Sequence, residues 1–352
     1  MSAILHNLAG RAGGACKQRF RDSAERLKAA RASGLEGAHN VQMSESHRAT
    51  QSSSGSSTAP SGTPLPGLRR VEQIMGTAIS LDVRDVHVEL GALEAAFEYL
   101  RDVDRRFSPY KPESEVSRLI RGEIEESDAS PDLRQVISLC DQIGQTSNGY
   151  FDIRSHRSDG RPDPTGLVKG WALERAAGIL EAAGARNYCI NGGGDIVAAG
   201  GVTDGDKEHA TGSAEPTWRV GIRHPMIADR LATVLAVRDA SVATSGTYER
   251  GQHIVDPLTG LAPQGLVSVT IVGPTLTLAD AYATAAFAMG SSGMEWAAGL
   301  TGFAACGVTA EPDGSNARLV WTPGFERYFA ADARPSAGAS ADGAWELPEI
   351  RP

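Results

Sequence analysis

The segment at 275–290, TLTLADAYATAAFAMG, constrains this chain most strongly, because its composition predicts a nearly all-apolar helix. Two polar side chains, Asp280 and Thr284, stand four residues apart and therefore share one face of that helix. An acid in the first turn can complement the helix dipole, and a threonine can hydrogen-bond back to a helix carbonyl. The same spacing also suits a polar ligand that faces both oxygens. Both interpretations stay open on the helix alone.

Charge and composition limit the partners that this chain can bind. Its 352 residues include 34 basic and 43 acidic side chains, and the net charge of -9 has the wrong sign for a broad surface that binds nucleic acid or anionic membrane. Any phosphate must therefore be held locally, by a cation or by backbone amides. With 41% hydrophobic and 22% charged residues, the sequence predicts a globular protein large enough to be an enzyme.

Cysteine usage and the N-terminal sequence bear on location. The cysteines are too scattered for a CxxC metal site and too few for a disulfide scaffold, so we interpret all of them as reduced and structural: Cys16, Cys140, Cys189 and Cys306. The N-terminal sequence lacks a charged region followed by an apolar one, and GGAC lacks the leucine of a lipoprotein signal. The apolar tract at 281–308 is broken by GSSG and Glu295. We therefore expect a cytoplasmic protein without a membrane span.

Composition divides the chain into three parts. Residues 1–66 include a Ser-, Gly- and Pro-rich run that cannot build a packed core, and they predict a disordered tail. Residues 67–330 carry the periodic segments, and 331–352 predict a flexible C-terminal tail. Helices are predicted at 89–108, 131–147 and 166–185. Strand patterns are mixed with these helices rather than alternating strictly with them, which favours an α+β fold.

The first strand pattern is the run LRRVEQIMGTAISLDVRD. Its alternation predicts a strand with Ile74, Gly76, Ala78 and Ser80 on one side and with short turns nearby.

Two glycine-bearing segments could bind an anion. In DPTGLVKGW, Thr165 and Gly166 lie where a helix begins, and Lys169 follows in its first turn. Free amides at a helix N-terminus favour an anion and a lysine adds positive charge, but Asp163 or Thr165 could equally be an ordinary cap beside a solvated lysine. NGGGDI at 191–196 permits either a tight turn or close approach of a ligand to the backbone.

Two further segments carry candidate ring-binding and acid–base groups. NGYFDIR places Tyr150 and Phe151 beside Asp152, and such an aromatic pair could stack on a flat ring or belong to the core. In SVATSGTYERGQHIVDPLTG, a Ser/Thr/Gly turn precedes His253 and Asp256. A titratable imidazole there could abstract a proton from a hydroxyl, although a lone histidine is more often structural.

These polar groups suggest one kind of ligand when they are taken together. Carboxylate and hydroxyl oxygens are hard ligands of the kind that Mg²⁺ prefers, and Mg²⁺ usually completes its shell with substrate phosphates. A lysine near a helix N-terminus and glycine-rich backbone would suit the same phosphates. The sequence therefore predicts a magnesium-bound pyrophosphate.

The segments, taken in order, resemble the motifs of the FAD:protein FMN transferase family, the ApbE-type flavin transferases. The resemblance extends over about residues 70–330. The matching segments are MGT, FSPYKPESEVSRL, GYFDI, GLVKGWALE, NGGGDI, WRVGIRHP, ATSGTYER, HIVDPLTG and LADAYATAAFAMG. It implies an ApbE-like α+β fold, related to the T-fold, with mixed sheets and packed helices.

The resemblance also implies an activity. Such an enzyme splits FAD at its pyrophosphate in a Mg²⁺-dependent reaction, attaches FMN through a phosphoester bond to a Ser or Thr hydroxyl of an acceptor flavoprotein, and releases AMP. Two alternatives remain: a Mg²⁺-dependent FAD pyrophosphatase that releases FMN and AMP, and a non-catalytic FAD-binding protein.

Site residues follow from the resemblance position by position. The metal would be bound by Asp280, Thr284 and the backbone carbonyl of Gly166. His253 would act as the catalytic base, and Asp280 would be the second catalytic residue. The residues implied to contact FAD are Met75, Tyr110, Tyr150, Phe151, Asp152, Asp163, Lys169 and Ile254. One departure is Glu174, which stands where the family commonly has an aspartate.

Overall fold

A computed structural model describes residues 67–154, 159–202, 215–227, 229–246, 254–310, 317–334 and the backbone of 344–346. The tail predicted at 1–66 lies outside these residues, and so does His253.

The strands build one large sheet and one small one. They are β1 (Leu68–Ile74), β2 (Thr77–Val83), β3 (Tyr188–Gly192), β4 (Asp195–Ala199), β5 (Trp218–Arg223), β6 (Leu231–Val237), β7 (Ala240–Gly246), β8 (Leu266–Gly273), β9 (Ala304–Thr309), β10 (Arg318–Trp321) and β11 (Ala344–Glu346). The nine-stranded sheet has the order β1-β2-β3-β4-β7-β8-β9-β10-β11, and β5 and β6 form a separate two-stranded sheet. Every neighbouring pair in both sheets is antiparallel.

The helices of the described residues are α1 (Leu90–Phe107), α2 (Glu115–Arg121), α3 (Pro131–Thr146), α4 (Thr165–Ala182), α5 (Leu276–Ala288) and α6 (Gly293–Ala298). The α+β prediction is confirmed by this mixture of helices with antiparallel strands. None of the helices in the described part of the chain is both long enough and apolar enough to cross a membrane.

Local signals in the sequence explain where several helices begin. Ser130 accepts a hydrogen bond from the Leu133 amide, and Pro131 occupies the first position of α3, as its sequence predicts. Ser114 caps α2 in the same way through the amide of Ser117. In α1, Leu93, Phe97, Leu100 and other apolar residues at helical spacing are buried. Because α4 and α5 bury residues around most of their circumference, they form the inner helical layer.

The large sheet is covered on both faces, and the alternation of its strands assigns residues to each. Ile196 and Ala198 of β4 and Val242 of β7 join the hydrophobic cluster that the β5–β6 hairpin covers. Asp195 is one position from Ile196 and Ser245 is three positions from Val242, so both face the opposite side of the sheet, where α4 and α5 lie. Polar groups on that side are thus brought to the inner helices.

The first strand pattern contains a turn that its alternation does not predict. The chain reverses at Met75 and Gly76, which have positive φ values of 54° and 72°, and Ile74 pairs with Thr77. Beyond this turn Ile79 and Leu81 are buried, whereas Ala78 is exposed. The prediction that Ile74 and Ala78 lie on the same side is therefore wrong, because a two-residue turn between them changes which side chains face the core.

Part of the segment predicted to be a flexible C-terminal tail belongs to the fold. Asp332 forms an ion pair with Arg219 of β5, at 2.9 Å between Oδ2 and Nη2. Further along, β11 pairs with β10 and extends the large sheet by one strand.

The cysteines in the described residues are free thiols. Burial raises the pKa of the Cys140 and Cys306 thiols far above the usual value, and it raises the pKa of Cys189 to about 12. Because the thiolate is the reactive form, these cysteines are chemically quiet, as a structural role requires.

Candidate functional site

The centre of the candidate site is a lysine between two buried carboxylates. Lys169, on the second turn of α4, forms an ion pair with Asp195 at the start of β4. Its Nζ also lies 4.0 Å from Oδ2 of Asp280 on α5. Asp195 is 1% exposed and Asp280 is 7% exposed, and charges at such depth are stable only when they are paired or bind a cation. The alternative of a solvated Lys169 is therefore wrong.

Asp195 is also fixed from the neighbouring strand. Its Oδ1 accepts a hydrogen bond from the backbone amide of Thr244 in β7, at 3.3 Å. Since β4 pairs with both β3 and β7, Asp195 lies on an interior strand of the sheet. The sequence interpretation of NGGGDI considered a tight turn or close approach of a ligand to the backbone, and it missed Asp195, although an acid after three glycines was visible in the motif.

The two site helices approach closely because Gly170 has no side chain. A Cβ at this position would lie 3.0 Å from the carbonyl oxygen of Leu276 and 3.1 Å from Cβ and Oδ2 of Asp280. Gly166 lies one turn earlier, on the same face of α4. The two glycines therefore put bare backbone of α4 on the side that faces Asp280.

Thr284 is the other polar residue of α5 that the sequence singled out. It is the one residue of this helix that is not buried, and its Oγ1 lies 3.4 Å from the Ser245 hydroxyl oxygen of β7. Asp280 is the fifth residue of α5 and lies beyond the first turn, so the interpretation that it complements the helix dipole there is wrong. The two side chains lie one turn apart, as predicted.

Glu174 joins the two helices at the beginning of α5. Its Oε2 accepts hydrogen bonds from the amide and the hydroxyl of Thr277, at 2.9 and 2.6 Å. Thr275, the residue at the N-cap position, makes no side-chain cap hydrogen bond. Glu174 therefore supplies the acceptor that a cap residue normally provides.

The first turn of α4 is capped from the preceding loop. Asp163 Oδ1 accepts hydrogen bonds from the amide and hydroxyl of Thr165, at 3.1 and 2.7 Å. The N-cap residue itself is Pro164, so Asp163 binds the first helical residue from one position before the ordinary cap. Phe151 is 5% exposed, and its ring lies 3.8 Å from the position of a Cβ on Gly166. Its neighbour Tyr150 is half-buried. The GYFDI segment thus lies against the beginning of α4.

Other predicted contact residues lie around this centre or apart from it. The turn at Met75 lies at the same end of the sheet as Asp195, because the Gly193 amide donates to the Ala78 carbonyl at 3.3 Å. Asp152 accepts a hydrogen bond from the Arg154 amide at 2.8 Å, and Ile254 is half-buried.

Tyr110 is 91% exposed, on the loop between α1 and α2. A cavity of about 610 Å³ adjoins this loop, and it is lined by Arg105, Arg106, Lys111, Glu113, Ser114, Glu115, Arg118, Ile124 and Asp128. Its lining includes none of Lys169, Asp195 and Asp280, which we call the Lys169 cluster. The cations of the lining have acidic neighbours; Arg106, for example, lies 3.1 Å from Asp132.

The donor set at Asp280 fits a hard cation. It offers a carboxylate, a hydroxyl and nearby helix backbone, which are the oxygen ligands that Mg²⁺ prefers. Within the described ranges no group of three or more His, Cys, Asp and Glu side chains has a metal-binding arrangement, so substrate oxygens would have to complete the shell.

The chain is similar in sequence to proteins named FAD:protein FMN transferase. The FAD:protein FMN transferase of Treponema pallidum is 32% identical over 174 residues, which are 45% of this chain and 48% of that protein. The FAD:protein FMN transferase of Vibrio cholerae is 31% identical over 138 residues, 36% of this chain and 38% of that protein. This chain therefore spans about half or less of the length of these two relatives.

A solved structure shares the fold. The flavin transferase ApbE of Vibrio cholerae superimposes with a TM-score of 0.63 at 20% identity, over 76% of this chain and 100% of that one. The model of the ApbE family matches residues 75–159 and 155–306, a region that contains the whole Lys169 cluster. By this match, the chain belongs to the ApbE family.

Proposed function

We propose that this protein transfers FMN from FAD to a Ser or Thr hydroxyl of an acceptor flavoprotein, forming a phosphoester bond and releasing AMP. The observation that carries the proposal is the placement of Lys169 beside Asp280, within an ApbE family member whose relatives are named FAD:protein FMN transferases. A lysine and a hard-cation site side by side suit a pyrophosphate, which carries several negative charges.

Asp280, Thr284 and the carbonyl of Gly166 would hold a magnesium ion. When it is bound, this ion neutralises charge on the pyrophosphate of FAD. The chain's own contribution is to orient the phosphates. Lys169 would contact their oxygens from α4, since its ammonium already pairs with Asp195 of β4 and lies 4.0 Å from Asp280 of α5.

The flavin and adenosine parts of FAD would contact the segments around this centre. Phe151 and Tyr150 would provide aromatic surface beside the beginning of α4, and Met75, Tyr110, Asp152, Asp163 and Ile254 would complete the contacts. His253 would accept the proton of the attacking hydroxyl, so that the hydroxyl oxygen attacks the phosphorus next to the riboflavin part while AMP leaves.

The direct test is to incubate the purified chain with FAD, Mg²⁺ and an acceptor domain, and then to weigh the acceptor by mass spectrometry. A gain equal to one FMN moiety that depends on Mg²⁺ supports the transferase. In the same assay, Asp280→Ala should show no transfer. Lys169 keeps its ion pair with Asp195 in this variant, and we expect the fold to stay intact. AMP and free FMN without a modified acceptor would instead identify a pyrophosphatase.

A matched control is Glu295→Ala, which removes an exposed carboxylate from α6. It should transfer FMN at the wild-type rate, and both variants should show the wild-type circular dichroism spectrum. Full activity of Asp280→Ala at ordinary Mg²⁺ concentrations would contradict the proposed site.

A further inference from the structure

Asp195 has no part in the reaction proposed above, yet it is the most deeply buried acid of the site. Its side chain is 2% exposed, compared with 9% for Asp280 and 26% for Lys169. Lys169 is in direct contact with Asp195 but 4.0 Å from Asp280. The lysine is therefore shared unequally between the two carboxylates.

This unequal sharing matters for a cation at Asp280. An ammonium close to a carboxylate opposes the binding of a metal ion to that carboxylate, by repulsion and by competing for the same oxygen. A carboxylate on the far side of the ammonium reduces both effects, because it neutralises the charge and provides a second place for the ammonium to bind.

Asp195 can hold the lysine because its own position is fixed by the sheet. Its carboxylate accepts the Thr244 amide, and its backbone belongs to β4 in the interior of the sheet. Asp280, by contrast, projects from a helix toward α4. A lysine held by Asp195 thus has a fixed position relative to the sheet, whatever binds to Asp280.

We propose that Asp195 is a positioning residue that holds Lys169 away from Asp280, so that a divalent cation and the lysine can occupy the site together. This inference rests on the proposed function, because it takes Asp280 as the metal ligand. It adds that metal affinity is set by a residue that does not itself contact the metal.

The test measures binding of Mn²⁺ or Mg²⁺ alone to the full chain, by calorimetry and, for Mn²⁺, by electron paramagnetic resonance. Asp195→Asn keeps the shape of the side chain but removes its charge, which leaves Lys169 to pair with Asp280. We expect a loss of about tenfold or more in metal affinity, the usual effect of removing a group that supports a metal ligand.

Two further variants separate positioning from other roles. Lys169→Gln removes the competing charge, so metal affinity should equal or exceed that of the wild type. The double variant Asp195→Asn/Lys169→Gln should recover affinity to within about threefold of the wild type, because there is no ammonium left to hold. If Asp195 were a metal ligand or only a structural acid, the double variant would bind as weakly as Asp195→Asn.

The outcomes also distinguish this inference from the function on which it rests. Loss of binding in Asp280→Ala with no change in Asp195→Asn would overturn only the role of Asp195. Wild-type binding in Asp280→Ala would overturn the metal site and with it this inference, whereas FMN transfer is tested separately by the mass of the acceptor. Thermal unfolding of each variant shows that it is folded. Should Asp195→Asn fail to fold, Lys169→Gln remains a test, because a metal affinity below that of the wild type would contradict competition between the lysine and the metal.

Discussion

Glu174 of α4 caps the helix that carries Asp280, because its Oε2 accepts both the amide and the hydroxyl of Thr277, at 2.9 and 2.6 Å. The two residues are 103 positions apart in the chain. The amide at the start of a helix has no acceptor within that helix, and a negative charge there is favourable. The contact therefore stabilises α5 and at the same time fixes its position against α4.

Removing this cap should cost stability. We expect Glu174→Ala to lower the free energy of unfolding by about 1–2 kcal/mol, as other lost helix caps do, and urea titration measures this. Thr277→Val removes only the hydroxyl hydrogen bond and should cost less, about 1 kcal/mol. A Glu174→Ala variant as stable as the wild type would show that the contact contributes nothing.

Helix positions could largely be predicted from the sequence, because their signals are local. Ser130 and Pro131 begin α3, the apolar spacing of Leu93 and Phe97 marks the buried face of α1, and the composition of 275–290 predicts α5. The pairing of Asp280 with Thr284 on one face follows from helix geometry alone.

The rest of the site depends on contacts between distant segments. The ion pair of Lys169 with Asp195 joins a helix to a strand, and no periodicity in either segment encodes it. The cap from Glu174 is equally remote from Thr277 in sequence. The turn at Met75 was missed for a different reason, because Met-Gly lacks the Asn-Gly or Asp-Gly pair that usually marks such a turn.

Gly170 leaves little room for a side chain. Gly170→Ala places a Cβ 3.0 Å from the Leu276 carbonyl oxygen and 3.1 Å from Asp280, so α5 must shift by a few tenths of an ångström. We expect a loss of about 1–3 kcal/mol in stability and, because Asp280 moves with α5, about a hundredfold loss in FMN transfer. Thermal unfolding and the acceptor mass assay measure the two effects.

Gly91 provides the matched control, because it lies in α1 with nothing within 4 Å of an added Cβ. Gly91→Ala should keep full activity and lose no stability, since alanine favours a helix. If Gly170→Ala were as stable and as active as Gly91→Ala, α4 and α5 would not be closely packed at Gly170.

Met75 should show a conflict between stability and flavin binding. Its φ of 54° is unfavourable for methionine, whereas asparagine adopts this conformation readily before glycine in a two-residue hairpin turn. Met75→Asn should therefore raise the unfolding free energy by about 0.5–1 kcal/mol. If Met75 contacts FAD, the same variant should bind FAD more weakly in a fluorescence titration. Unchanged FAD affinity would remove Met75 from the predicted contacts.

Asp85 should make stability depend on pH, through its contacts with the segment that leads into β3. Its Oδ2 accepts the amides of Arg186 and Asn187, both at 2.7 Å. Partial burial raises the pKa of this carboxyl, but the hydrogen bonds from Asn187 and Arg186 outweigh burial and hold the pKa below its usual value of 3.8. Because the folded state favours the ionised form, its contribution is present above about pH 4 and is lost as the pH falls through the folded-state pKa.

Asp85→Asn should therefore be less stable than the wild type at pH 7, by about 1 kcal/mol because the carboxylate is partly exposed to solvent. The difference should shrink as the pH falls below about 4 and through the folded-state pKa, because the wild-type carboxyl then becomes protonated as well. Urea unfolding at several pH values measures this difference. Glu98→Gln, which changes an exposed carboxylate on α1, is the control and should follow the wild type throughout. A constant difference between Asp85→Asn and the wild type at every pH would show that shape, and not ionisation, accounts for the contribution of Asp85.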